Sequence, residues 1–367
     1  MGSTPVERLV DDARLHASLD AIDAWRTATL GGVILVTDAR DILANVSPPP
    51  GSNVIVDADP GPFHFGNRLA GVIRKYGLQS VVCLGGGSLP LFGASEFARL
   101  LRALADVEAI TNNPYSSDLT AFNVSEGALS ALGEVERDNV VARALHERAG
   151  MAVEALPRNL ATQFDLDTPS DVAVLALAHS SGAISPGPRL AAHLESLSLD
   201  LERYRSVLPL FTDQAKQIIV AGRVGTHAWS YLESETACRV RLFAEERGME
   251  ADGRDRRGEA RSLLAHHLDA VGFERFFGTL AELGDAAFID TRVLLAHNRI
   301  DASRTERFLS DLGQPKDIAD PFLRDFTSAA LAAPIPVLFG GHSLMSGDLM
   351  LLNELAWALR EQEANAG

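Results

Sequence analysis

The chain has little sulfur, little lysine and no long apolar run. Cysteine occurs only twice in 367 residues, at Cys83 and Cys238. Two distant cysteines make neither a disulfide framework nor the paired spacing of a zinc site, and they suit a reducing compartment. A cytoplasmic protein is therefore expected, in which the glycosylation-like triplets at Asn45 and Asn123 carry no meaning. Lysine appears only at Lys75, Lys216 and Lys316, so nearly all positive charge is arginine. No stretch approaches the roughly 20 apolar residues of a membrane helix. The polar start, Met1 to Asp12, also lacks the basic-then-apolar order of a leader. A membrane is not an expected partner.

Positive charge is also outweighed: the formal net charge is −16 and the sequence pI is near 5.0. Such a field repels nucleic-acid phosphates. The arginine-rich stretch Arg254 to Arg261 is interleaved with Asp252, Asp255 and Glu259, which reads as a solvated mixed-charge face. No nucleic acid is expected. What the chain has in quantity is apolar side chains, 46% of the total, arranged in short runs. Its length exceeds what one core readily serves. The expected organisation is an α/β domain over 1–180, a Ser/Gly/Pro linker over 181–188, and a mainly α-helical domain over 189–367.

Up to residue 180, short apolar strands alternate with helices. Strands are expected at 33–37, 54–56, 80–84, 108–111 and 120–124, and helices at 5–25, 65–76, 95–104 and 137–150. Alternation of this kind implies a mainly parallel sheet with helices on both faces. Ligands of such sheets sit at the carboxyl ends of the strands, where Asp57, Asp59, Ser88, Asn112 and Asp165 all fall. Beyond 188 the spacing predicts helices at 190–207, 227–248, 258–271, 273–283, 303–312 and 321–332. Two apolar runs, 218–221 and 335–339, interrupt them.

The densest chemistry lies in Phe164-Asp165-Leu166-Asp167-Thr168-Pro169-Ser170-Asp171, with three carboxylates in seven residues. Thr168 or Asp167 can cap the following helix, Pro169 suits its first turn, and Asp171 lies near its positive end. Asp165 and Asp167 are then left at a strand end, where carboxylate oxygens can hold a divalent cation bound to phosphates.

Asp165 to Asp171 matches a D-x-D-T-P-x-D motif. Through it, residues from about 5 to 176 resemble the nucleotidyltransferases of the glycosyltransferase-A-type fold. Within these, the resemblance is to the molybdenum cofactor guanylyltransferases and the 2-phospho-L-lactate guanylyltransferases. Thr4 to Val10, Val33 to Asp38, Ile55-Val56-Asp57 with Gly66-Asn67-Arg68-Leu69, and Ser80 to Phe92 are similar to further segments of that family. The resemblance implies transfer of NMP from an NTP to a phosphorylated small molecule, with Mg²⁺ as cofactor. It implies Asp165 and Asp167 as catalytic metal ligands, and Asp57 or Asp59, expected at the same sheet edge, could help. Asn67, Ser88, Asn112, Asn113 and Thr168 would line the nucleotide and acceptor.

Two departures point the other way. The family's opening strand and Gly-rich phosphate loop have no counterpart before Pro5, and its second cation-binding aspartate corresponds to Ser88. The rival expectation is a catalytically inactive scaffold that binds a nucleotide or a partner. Further along, Gly222-Arg223-Val224-Gly225 can bind an anion at a helix start or be a plain turn. Phe339-Gly340-Gly341-His342-Ser343-Leu344-Met345 imitates a nucleophile elbow but reads as a tight turn. Glu235 and Arg239 are spaced for an intrahelical pair. Asp290, Arg292 and His297 read as paired core charges.

Overall fold

A computed structural model describes Gly2, residues 4–37, 52–56 and 62–366. Asp57 and Asp59 lie outside the described residues. The fold is mixed α/β, and its contacts gather into two units. One comprises residues 14–163 with 187–190; the other comprises 2–13, 164–186 and 191–367. Asp165 and Asp167 therefore belong to the second unit, and Asn67, Ser88, Asn112 and Asn113 to the first.

The first unit holds β1 (Val33–Thr37), β2 (Ser52–Val56), β3 (Ser80–Leu84), β4 (Ala109–Thr111), β5 (Leu119–Asn123) and β6 (Val153–Ala155). β1 and β2 form a parallel pair, while the other four make a sheet in the order β3-β5-β4-β6. The expected mainly parallel character fails in this sheet: β5 runs antiparallel to both β3 and β4, and only β4 and β6 are parallel. The reason is local. Asn112 turns the chain over seven residues from β4 into β5, far too short for the crossover a parallel strand needs. The expected helix at 137–150 is a 3₁₀ turn at Asp138–Val140 followed by Val141–Glu147. Two buried clusters cover the sheet, one around Phe122, Leu132 and Leu145, the other around Phe97, Leu100 and Leu119.

The second unit is rich in helix, as expected, but it is built on a sheet that the expected helices left out. It contains β7 (Gln217–Gly222), β8 (Arg239–Ala244), β9 (Ala286–Asp290) and β10 (Val337–Gly340). These form an all-parallel sheet in the order β10-β9-β7-β8. Two of the strands escape a helical reading for different reasons. β8 is an edge strand whose Arg239-Val240-Arg241-Leu242 alternation is a period-2 signal, and its side chains alternate in exposure. β9 is buried on every residue, and so short an apolar run resembles a buried helical turn. Because Glu235 ends its helix and Arg239 starts β8, the expected intrahelical pair does not exist.

Alternate residues of this sheet, Ile219, Ala221, Ala287, Ile289, Val337 and Phe339, pack under helices Leu263–Val271, Phe273–Leu283 and Pro321–Leu331. Phe326 sits among Phe273, Phe277, Phe322 and Phe339 with ring centroids 5.2–6.3 Å apart. The opposite face meets helices Pro169–Ser180 and Glu202–Phe211, with Phe211 and Phe288 rings 5.8 Å apart. From β7 the chain moves to β8 on one side, then returns to β9 on the other. That reversal makes a topological switch point between β7 and β9, the place where open parallel sheets bind ligands.

Candidate functional site

The carboxyl edge of the second sheet gathers four turns, after Gly222, Ala244, Asp290 and Gly340, and the D-x-D-T-P-x-D turn joins them. Phe164 and Leu166 are fully buried and anchor that turn, which leaves Asp165 half-buried and Asp167 exposed. Thr168, in extended conformation, N-caps helix Pro169–Ser180 with Pro169 in its first turn, as the sequence predicts. Asp171 completes the cap. Its Oδ2 accepts the N–H of Asp167 and of Thr168, both at 2.6 Å, and its Oδ1 accepts the Thr168 hydroxyl at 2.9 Å.

The turn is fastened to the sheet edge. Ser170 Oγ donates to the Phe339 carbonyl at 2.5 Å, and Ser343 Oγ donates to Asp171 Oδ1 at 2.7 Å. A Cβ on Gly341 would meet Thr168 Cγ2 at 3.2 Å, so the backbone after β10 comes close to the cap. The expected tight turn at 339–345 runs into a π-helical turn, Leu344–Asp348, at the head of helix Leu349–Ala366. Such turns concentrate at functional sites.

That π turn brings Asp348 against Asp171, and both carboxyls are fully buried. Each acid acts on the other's protonation. Neither oxygen of Asp348 meets an N–H or hydroxyl donor, a setting that favours a proton on the pair over two facing charges. Burial is the main force raising both acids, Asp171 to about 6. Asp348 is pushed further by burial and then by the charges of Asp171, Asp167 and Asp165. Asp348 is thus the neutral partner. The sequence signal for it is one acid inside Leu344-Met345-Ser346-Gly347-Asp348-Leu349-Met350.

At the switch point, Arg223 and Asp290 meet. Arg223 Nε donates to Asp290 Oδ2 at 2.5 Å and Nη2 to Oδ1 at 3.2 Å, while Nη1 donates to Glu250 Oε1 at 2.5 Å. Gly222 permits this approach. Its φ is +138°, and a Cβ there would lie 2.3 Å from that of Asp290. Burial alone would push Asp290 up, but Arg223 first and then Arg292 and His342 outweigh it and hold it below the usual range. Next to this pair, Arg292 clasps Asp311 at 2.5 and 2.6 Å and donates to the Gly340 carbonyl at 3.1 Å. The expected core-charge pairing thus holds for Asp290 and Arg292. His297 lies elsewhere, accepting the Ser262 N–H at Nδ1.

His342 keeps one face open to solvent at the end of β10. The dense protein around the rest of the ring lowers its pKa, and the Arg223 charge adds to this. Arg223, Asp290 and Asp167 all act on it electrostatically, which ties the β7, β9 and D-x-D turns into one neighbourhood.

In the first unit the expected binding residues are occupied otherwise. Asn112 is buried and spends every hydrogen bond it has. Its Oδ1 accepts the N–H of Asp118 and Leu119 at 3.0 and 3.1 Å, and its Nδ2 donates to Asp118 Oδ2 and the Thr162 carbonyl at 2.9 and 3.3 Å. Asn113 accepts the Tyr115 N–H at 3.2 Å, which closes a turn. Ser88 is buried in the turn after β3, its N–H donating to the Gly85 carbonyl at 3.1 Å. Asn67 is exposed in the first turn of helix Phe65–Tyr76, its N–H donating to His64 Nδ1 at 3.3 Å.

Among the described residues no group of three or more His, Cys, Asp or Glu is arranged to hold a metal. Magnesium asks for less from a protein, taking one or two carboxylates beside water and substrate phosphates. Asp165 and Asp167, one half-buried and one exposed on a fixed turn, fit that donor set. Among the described residues no helix is long and apolar enough to cross a membrane. No protein-family model matches the chain, and no curated protein matches it at a significant level.

Proposed function

We propose that the chain binds a magnesium-bound nucleoside triphosphate at the carboxyl edge of the second sheet and transfers its NMP to a phosphorylated small molecule. The observation that carries this reading is the D-x-D-T-P-x-D turn, held by Asp171, Ser170 and Ser343 at the end of β10. Asp165 and Asp167 would hold the cation, which when bound neutralises phosphate charge. The chain's own residues supply position. Phe164 and Leu166 anchor the turn, the cap fixes the Asp167 backbone, and His342 stands exposed beside it. In the transfer, an acceptor phosphate oxygen bonds to the α-phosphorus as the bond to the β-phosphate oxygen breaks, releasing pyrophosphate. Such transfer depends chiefly on positioning and charge neutralisation.

A second reading, a scaffold that binds nucleotide without turnover, is favoured by Asn112, Asn113 and Ser88, which structural hydrogen bonds and burial absorb. Calorimetric titration with GTP, CTP and ATP in Mg²⁺, followed by a pyrophosphate-release assay, separates the two. Transfer requires binding that Asp165→Ala abolishes together with pyrophosphate release. Binding without release leaves the scaffold, and no binding of any of the three removes both.

A further inference from the structure

The segment between β8 and helix Leu263–Val271, residues 245–262, folds back onto the switch point. Its path is set by left-handed backbone at Glu246 (φ 51°), Gly248 (φ 85°), Gly253 (φ 65°) and Gly258 (φ 65°). Arg254 holds Glu246 through two hydrogen bonds of 2.9 Å, and Met249 is buried against Ala260 and Val293. The buried Met249 delivers its neighbour Glu250 to the one arginine nitrogen that Asp290 leaves over, Arg223 Nη1.

The Glu250 side chain is 57% exposed, whereas that of Arg223 is 9% exposed. The contact is thus a solvent-facing carboxylate on a buried guanidinium. The same segment brings a second arginine. The Arg247 guanidinium lies 3.8 Å from where a Cβ on Gly225 would sit. Gly225 starts helix Thr226–Glu235 without a side-chain cap. A cation at the positive end of a helix is the unfavourable arrangement, and an anion between the two reverses its sign. Arg223 and Arg247 thus both border the turn Gly222–Gly225 on an otherwise acidic chain, with the Glu250 carboxylate on the solvent side of Arg223.

We propose that Arg223 and Arg247 form a site for the phosphate group of a small-molecule phosphate monoester, and that Glu250 occupies it until that ligand displaces the carboxylate. Arginine suits this exchange because its guanidinium N–H groups donate to carboxylate and phosphate oxygens alike. Asp290 keeps Arg223 aimed while Nη1 changes partner. The loop carrying Glu250 and Arg247 is then both part of the site and its competitor. The proposal does not depend on the magnesium–nucleotide reading.

Titration of the full chain with inorganic phosphate in EDTA tests it, since the chelator removes any contribution from a cation at Asp165 and Asp167. Glu250→Gln is expected to tighten phosphate binding about tenfold, because the competing charge is gone while the side-chain shape stays. Glu274→Gln, which removes an exposed charge on another helix, controls for the general effect of net charge and is expected to leave affinity unchanged. Adding Arg247→Ala to Glu250→Gln should return the affinity to the wild-type level or below. The proposal is overturned if Glu250→Gln binds phosphate no better than wild type. An equal gain in Glu274→Gln, or indifference to Arg247→Ala, overturns it as well. All three positions are exposed, so folding does not confound the outcome.

Discussion

The two sheets treat their polar strand ends in opposite ways. After β4 in the first unit, Asn112 turns inward and makes four hydrogen bonds, three to Asp118 and Leu119 at the end of its own loop and one to the Thr162 carbonyl. At the carboxyl edge of the second sheet, charged groups face one another, and each network includes a member that reaches solvent: Glu250 beside Arg223, Asp167 beside Asp171, His342 beside both. A neutral amide closed on its own turn builds a fold. Charges that are buried at one end and exposed at the other can respond to a ligand, and this contrast favours the second sheet as the site.

The comparison breaks most visibly where a buried charge loses its partner. Asp290→Ala strips Arg223 of its bidentate carboxylate, and stability should fall by about 3–5 kcal/mol in urea denaturation. A loss below about 1 kcal/mol would mean that Glu250 or solvent already satisfies the guanidinium. Asn112→Ala should cost less, about 1–3 kcal/mol, because it leaves two buried N–H groups without acceptors but no charge. If Asn112→Ala proves the more damaging, the contrast between the sheets is wrong.

The Asp171–Asp348 pair sharpens it further. Both acids bind their proton more tightly folded than unfolded, so their contribution to stability is complete below the ordinary carboxyl range. It is lost as pH rises through about 6 and beyond. The slope is about 1.4 kcal/mol per pH unit for each proton held. Asp348→Asn keeps a neutral donor there, and its stability relative to wild type should rise steadily from pH 4 to pH 8. A constant difference across that range would show that no proton is shared. The smallest effect is expected for Ser343→Ala, which removes a single neutral hydrogen bond to Asp171 and should cost about 1 kcal/mol by thermal denaturation.

Much of this was legible in the residues. The helix cap at Thr168 could be read directly because Thr-Pro-x-Asp specifies its own hydrogen bonds. The strands of the first unit were readable as apolar runs between turn residues, but their directions were not, since β5 pairs through a short turn with residues 9 to 13 positions earlier. In the second unit β8 was lost inside the helix expected at 227–248 although its residues alternate with period 2, and with it the parallel sheet. Asp290, Arg292 and Arg223 stood out as charges in apolar sequence. Glu250 and Asp311 did not mark themselves, and Asp348 stood out only as a lone acid in apolar sequence, because their roles come from partners 19 to 177 residues away, a distance no local pattern reports.

Hydrogen exchange with and without magnesium–GTP tests most directly whether the ligand belongs to the second sheet. The expected result is added protection at Asp165–Thr168 and at Gly341–Ser343. Protection confined to the turns of the first unit, at 85–89 and 112–113, would contradict it.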